Sequence, residues 1–269
     1  MKIIKSFKSL NKEINFNESI GFIPTMGALH KGHISLIKKG KKKTKKVLVS
    51  IFINPSQFND KKDFLNYPRN LNKDISILKK HKVNYLFLPN TKEIYKKNTK
   101  KKINILKVDK ILCAKYRNGH FEGVLAVVDR LMANIKAKYI FFGEKDFQQI
   151  YLIKKYLQNK YITQIFSCKT IRNKNNLPLS SRNILLTKKS LKKSEKISSL
   201  LFILRNKIKK NINNIKLLKY YKFKIQKLCD KVEYFEIRNK NYLSNKFSEN
   251  NFKIFIAYKQ GNVRLIDNI

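Results

Sequence analysis

Apolar positions in this chain fall into short continuous runs, separated by segments in which they recur every three or four residues. SIGFIP (19–24) and VLVSIFI (47–53) have the length and branched content of strands buried on both faces. The segment between them, 33–46, reads as a crossover helix. VNYLFLP (83–89) is a further strand, preceded by LNKDISILKKHK (71–82), where Leu71, Ile75 and Leu78 keep helical spacing. KYIFFG (138–143) and ITQIFSCKTI (162–171) add two more strands, with a helix expected from 147 to about 157. At the start, Ile3, Ile4, Phe7, Leu10 and Ile14 stand at roughly helical spacing. Such alternation predicts right-handed crossovers and a mostly parallel, doubly wound sheet. Ligands of such sheets bind outside the carboxyl ends of the strands.

The pattern changes near residue 171. A polar loop, RNKNNLPLSSRN (172–183), leads into a basic helical stretch to about 212 and another near 216–229. VEYFEIRN (232–239), FKIFIAY (252–258) and VRLIDN (263–268) follow, with a turn signal at 260–262 that predicts a hairpin. The expected organisation is an α/β domain over 1–171 and a smaller C-terminal α+β domain over 172–269.

Composition narrows the class. With 269 residues, 42% of them hydrophobic, the chain can bury a core and is no disordered tail. It carries 61 Lys and Arg against 17 Asp and Glu, a net charge of +44. The excess is dispersed through KKGKKKTKK (38–46), KKNTKKK (96–102), KKSLKKSEK (188–196) and RNKIKK (205–210). Lys far outnumbers Arg, the better phosphate fork, and abundant Lys, Asn and Ile together suit an AT-rich coding sequence. The charge therefore reads as a solvated surface and not as a specific nucleic-acid site, with incidental polyanion binding at low salt. Three scattered cysteines (Cys113, Cys168, Cys229), with no C-x-x-C pair, exclude a disulfide scaffold and disfavour a zinc site. No apolar run approaches the about 18–20 residues needed to span a bilayer, and no secretory signal pattern is present. A cytoplasmic protein with reduced thiols and no membrane partner is expected.

Unusual polar chemistry concentrates in four segments. PTMGALHKGH (24–33) lies where a strand gives way to a helix, with His30 and His33 on one face of the opening turn. Free N–H groups and dipole potential at a helix N-terminus suit phosphate, while capping or packing histidines would look the same. NPSQF (54–58) follows a buried strand, and Gln57 can both donate and accept. FGEKDFQQ (142–149) offers a cation, two acids and two amides at another strand end. LSSRN (179–183) joins two hydroxyls to a guanidinium, suited either to closing over phosphate or to capping a helix. His120 sits in YRNGHFEGV (116–124), whereas His81 lies in a polar run and reads as solvated.

PTMGALHKGHISLI, VSIFINPSQF, NYPRNLNKD, RNGHFEGVLAVVDRL, FGEKDFQQ and LSSRN occur in the order and spacing of the pantoate–β-alanine ligases. The resemblance extends to the terminal RLIDN and is strongest over 19–183. His30-Lys31-Gly32-His33 is similar to the HIGH-type motif of the nucleotidylyltransferase superfamily, and LSSRN stands where that superfamily has its KMSKS-type loop. The resemblance implies a Rossmann-like domain over 1–171 and a lid over 172–269. It implies ATP-dependent condensation of pantoate with β-alanine through pantoyl adenylate, with Mg²⁺ on the nucleotide and a homodimer as the assembly. Met26, Gly27, Ala28, Leu29, His30, Lys31, Gly32 and His33 would cradle ATP, His33 and His30 donating to its phosphates. Lys145 would contact the terminal phosphates, and Gly143, Glu144 and Asp146 would line the nucleotide, Gly143 and Asp146 holding its ribose. Ile171, Leu179, Ser180, Ser181 and Arg182 would complete that site. Gln57 and Gln149 would hold pantoate, Gln57 also reaching β-alanine.

The chain departs from the family pattern at Cys113 (for an acid), Asn118 (for proline), Ala126 (for threonine), Asn175-Asn176 (for Asp-Gly) and Pro178 (for a small residue). None touches His30, His33, Gln57, Lys145, Asp146, Gln149 or Arg182. A nucleotidylyltransferase with another acceptor, or a basic RNA-binding protein with a decayed site, are the alternatives; NPSQF and FGEKDFQQ argue against the first.

Overall fold

The computed structural model describes residues 1–95, 103–210 and 215–269. The basic run 96–102 and the expected end of the long helical stretch near 212 lie outside them. The chain divides into two compact units, Met1–Lys169 and Thr170–Ile269.

The first unit is built on β1 (Lys2–Ile4), β2 (Ile20–Thr25), β3 (Lys46–Ile51), β4 (Tyr85–Phe87), β5 (Tyr139–Gly143) and β6 (Gln164–Cys168). All pair in parallel, in the order β1-β4-β3-β2-β5-β6. Its helices are α1 (Phe7–Glu13), α2 (Lys31–Lys43), α3 (Lys61–Leu65), α4 (Leu71–Lys80), α5 (Thr91–Ile94), α6 (Cys113–Tyr116), α7 (His120–Asn134) and α8 (Phe147–Leu157). The expected α/β class, a Rossmann-like doubly wound parallel sheet, is what forms. Strand succession runs outward from β2 through β3 to β4, then reverses to β5 and β6, so the β2/β5 junction is the topological switch point. Buried Ile23, Val47, Val49, Leu86 and Phe141 of the sheet pack on Leu36 and Ile37 of α2 and Leu78 of α4.

One expectation fails at the N-terminus. The helical spacing noted from Ile3 onward belongs to two elements: Ile3 and Ile4 lie in the edge strand, paired with Leu86 and Phe87. The helix starts only at Phe7, because Ser6 adopts extended backbone and its hydroxyl accepts from Ser9 N–H.

The second unit holds α9 (Lys188–Lys210), α10 (Ile215–Gln226) and the antiparallel strands β7 (Lys231–Asn239), β8 (Phe252–Gln260) and β9 (Val263–Asn268). This is the smaller α+β unit expected, including the β8–β9 hairpin. Ile197, Leu201, Leu204 and Ile208 form one stripe of α9 at spacings of four and three, as a half-buried helix requires. Alternate residues of β8 (Phe252, Ile254, Ile256, Tyr258) join them in one apolar core with Tyr221 and Ile225 of α10. Among the described residues no helix is long and apolar enough to cross a membrane.

Candidate active site

The loop after β2 is shaped by backbone hydrogen bonds. Gly27 and Ala28 both hold left-handed φ angles, 79° and 49°. A non-glycine residue there is strained, and something must hold it. That something is Asp74 of α4, a carboxylate only 2% exposed. Its Oδ2 accepts from Ala28 N–H (2.8 Å) and its Oδ1 from Leu29 N–H (2.7 Å). Burial pushes the Asp74 pKa upward, and these two N–H groups pull it back. Thr25 Oγ1 accepts from Gly27 N–H (3.2 Å) and donates to the Ser50 carbonyl (2.8 Å), tying the loop to β3.

His30 is the N-cap of α2. Its Nδ1 accepts from Gly32 N–H (3.0 Å), while His33 Nδ1 accepts from His30 N–H (3.2 Å), a reciprocal box. The histidines are thus caps, and the geometry also fixes their tautomers. A neutral imidazole that accepts through Nδ1 carries its proton on Nε2, so each ring keeps an Nε2–H donor. Burial, followed by the Lys145 charge, lowers the His30 pKa to about 4. Burial, then His30 and Lys145, lowers that of His33 to about 3. Both are neutral donors at pH 7, and the cation of this corner is Lys145.

Lys145 stands beyond β5, in the single helical turn Glu144–Asp146 that follows Gly143. Its Nζ reaches Asp146 Oδ1 at 3.4 Å. Next in sequence, Gln148 turns inward and donates to the Ile111 carbonyl (2.7 Å), while Gln149 is half-buried on the following position of α8. Since β3, β2 and β5 are neighbours, the segments 26–33, 54–57 and 143–149 all leave the same edge of the sheet.

After β3, Asn54 caps the turn Pro55–Gln57. Gln57 is anchored twice. Its carbonyl accepts from Arg117 (3.2 Å) and lies 2.6 Å from His120 Nδ1, and its side-chain oxygen accepts from Asn54 Nδ2 (3.2 Å). The turn lies so close to α7 that a Cβ on Gly123 would overlap the Ser56 carbonyl.

In the C-terminal unit, Arg172 and Pro178 bridge across a tight loop, and Leu179 N–H donates to the Ile171 carbonyl (2.9 Å). Ser180 caps the turn Ser181–Leu185 by accepting from Arg182 N–H (3.2 Å). Ser181 is buried and Arg182 half-buried. Arg172 makes a bidentate ion pair with the buried Asp267 of β9 (2.8 and 2.7 Å), which fixes the base of this loop.

These loops have known counterparts. The family model described as "Pantoate-beta-alanine ligase" matches residues 1–269. The chain belongs to this family. A pantothenate synthetase of Francisella tularensis subsp. mediasiatica is 41% identical over 267 residues, covering 98% of this chain and 94% of the relative. One from Wigglesworthia glossinidia brevipalpis is 40% identical, with 99% and 94% covered. The crystal structure of the Francisella tularensis ligase complexed with "Beta-gamma ATP and Beta-alanine" superimposes with a TM-score of 0.86 at 39% identity, covering 100% of this chain and 97% of that one. The Thermus thermophilus pantothenate synthetase gives a TM-score of 0.92 at 27% identity, with 100% and 99% covered. The protein is a ligase that joins pantoate to β-alanine.

Three residues that brace these loops have partners the sequence does not show. Asp74 stands in NYPRNLNKD as one acid of an amphipathic helix. Asn54 opens the NPSQF segment. Tyr95 lies at the end of a four-residue helix. Each acts on a partner 41 to 46 residues away, so only the fold reveals it.

Proposed function

We propose that ligation proceeds in two half-reactions at the sheet edge formed by 26–33, 54–57 and 143–149. ATP enters as its Mg²⁺ complex. The pantoate carboxylate, already ionised at neutral pH, attacks the α-phosphorus, forming pantoyl adenylate and releasing pyrophosphate. The amine of β-alanine then attacks the acyl carbon of the mixed anhydride, forming the amide and releasing AMP. The first step needs no strong base; it needs alignment and stabilisation of charge on the triphosphate.

The observation that carries this reading is the pair of neutral imidazoles, both presenting Nε2–H donors at the N-terminus of α2 with Lys145 close enough to depress their pKa values. His33 and His30 donate to phosphate oxygens without titrating at neutral pH, and Lys145 supplies the compensating charge. The backbone of Met26, Gly27, Ala28, Leu29, Lys31 and Gly32 shapes the nucleotide cradle. Gly143, Glu144 and Asp146 line it, with Gly143 and Asp146 at the ribose. Ser180, Ser181 and Arg182, with Ile171 and Leu179, are assigned to the nucleotide and to departing pyrophosphate. Gln57 and Gln149 hold pantoate, and Gln57 also reaches β-alanine. The working form is a homodimer, as the family resemblance implies, and its expected place is the cytoplasm.

The test is pantoate-dependent pyrophosphate release by Lys145→Ala and His33→Ala. Each is expected to slow adenylate formation by about 10²–10³. Near wild-type rates in both variants remove these roles.

A further inference from the structure

Which end of the Gln57 amide faces a ligand is decided by the atoms behind it. Asn54 is fully buried. Its Oδ1 accepts from Tyr95 Oη–H (2.6 Å) and Ser56 N–H (3.2 Å), with Ser56 Oγ 2.9 Å away. An amide oxygen held on that side puts the NH₂ group on the other. Asn54 Nδ2 accordingly donates to the Gly123 carbonyl (3.1 Å) and to Gln57 Oε1 (3.2 Å). The Gln57 oxygen is thereby committed as an acceptor, and its Nε2 lies against Met26 Sδ at 2.7 Å. A thioether is a weak acceptor, which a ligand oxygen readily replaces. Glutamine in isolation can donate or accept, but in this setting it offers hydrogens.

The farthest member of the relay is Tyr95, which follows α5 and lies 41 residues from Asn54 in sequence. Its hydroxyl makes the shortest bond to Asn54, and the Arg130 guanidinium sits over its ring, 4.8 Å from the centroid. Burial raises the phenol's pKa, so the hydroxyl keeps its proton at neutral pH.

We propose that Tyr95 is a positioning residue for pantoate: its hydroxyl, through Asn54, sets Gln57 as a hydrogen-bond donor and so selects a carboxylate or hydroxyl oxygen on the acid substrate. The inference rests on the reading of Gln57 as a pantoate ligand.

Initial rates of pyrophosphate release, with pantoate and ATP varied in turn, test it in Tyr95→Phe, Gln57→Ala, Gln57→Glu and the double variant Tyr95→Phe/Gln57→Ala. Tyr95→Phe is expected to raise the KM for pantoate about five- to tenfold and leave the KM for ATP unchanged, the effect of one lost hydrogen bond. In the Gln57→Ala background it is expected to add nothing, because the group it positions is gone. Gln57→Glu, which keeps the acceptor toward Asn54 but replaces the outward donor by a carboxylate oxygen, is expected to be at least as damaging as Gln57→Ala. An unchanged pantoate KM in Tyr95→Phe, an undiminished Tyr95 effect in the double variant, or equal rises in both KM values overturns the role of Tyr95 alone. Wild-type pantoate binding by Gln57→Glu overturns the donor assignment. If Gln57→Ala itself leaves the pantoate KM untouched, the Gln57 reading falls and the inference falls with it.

Discussion

Two polar side chains, the buried Asp74 and the half-buried His33, are held in place by the fold itself. Asp74 holds two successive N–H groups of a loop that has a strained residue at Ala28. Asparagine has one oxygen, so Asp74→Asn retains one of these bonds and sets an N–H against the other donor. Asp74→Asn and Asp74→Ala are both expected to raise the KM for ATP about tenfold; an unchanged KM dissociates the clamp from nucleotide binding. The histidines make a pH prediction whose sign is fixed. Their folded pKa values, about 4 for His30 and about 3 for His33, lie below the unfolded 6.5. The unfolded chain therefore binds more protons between those limits, and stability falls as pH drops from 6.5 toward 3. Melting curves from pH 7.5 to 5 are expected to show a smaller loss for His30→Gln/His33→Gln than for the wild type. Parallel curves would mean that the imidazoles titrate normally in the folded protein.

Among elements, α7 does more for the site than its sequence suggests, since it carries His120 and Gly123 against the Asn54–Gln57 turn. Gly123→Ala is expected to cost about 1–3 kcal/mol in urea unfolding and to raise the pantoate KM more than the ATP KM. Wild-type values in both would show that the turn is not pinned by the helix. The large elements were legible because their apolar residues form continuous runs or keep one helical period: VLVSIFI has the length and branched content of a buried strand, and its first five residues lie in β3, while α8 begins at the expected Phe147. The edge strand Lys2–Ile4 was not, because three residues are too few to display alternation. The motif segments were legible as clusters of unusual chemistry; Asp74 and Asn54 stand inside two of them, NYPRNLNKD and NPSQF, but their distant partners, like that of Tyr95, are brought close only by tertiary structure. Asn175-Asn176 shows a departure absorbed locally. Asn176 takes a φ of 67°, a left-handed value that asparagine tolerates better than most residues, so the loop does without the family's glycine.

Across the whole molecule, the charge of +44 is the property that an anionic substrate feels from farthest away. Screening shortens from about 30 Å at 0.01 M salt to about 8 Å at 0.15 M. The kcat/KM for ATP is expected to fall several-fold across that range while kcat holds steady, and a flat profile would confine the lysines to solvation. The pairing of Arg172 with Asp267 bears on how the protein is made. The two residues are 95 positions apart in sequence, and Arg172 lies at the base of the loop that carries Ser180, Ser181 and Arg182. During translation at about 5–20 residues per second, that loop waits about 5–20 s for its counter-charge. A nascent chain has its histidine corner encoded long before the loop that carries Ser180, Ser181 and Arg182 can be pinned by Asp267.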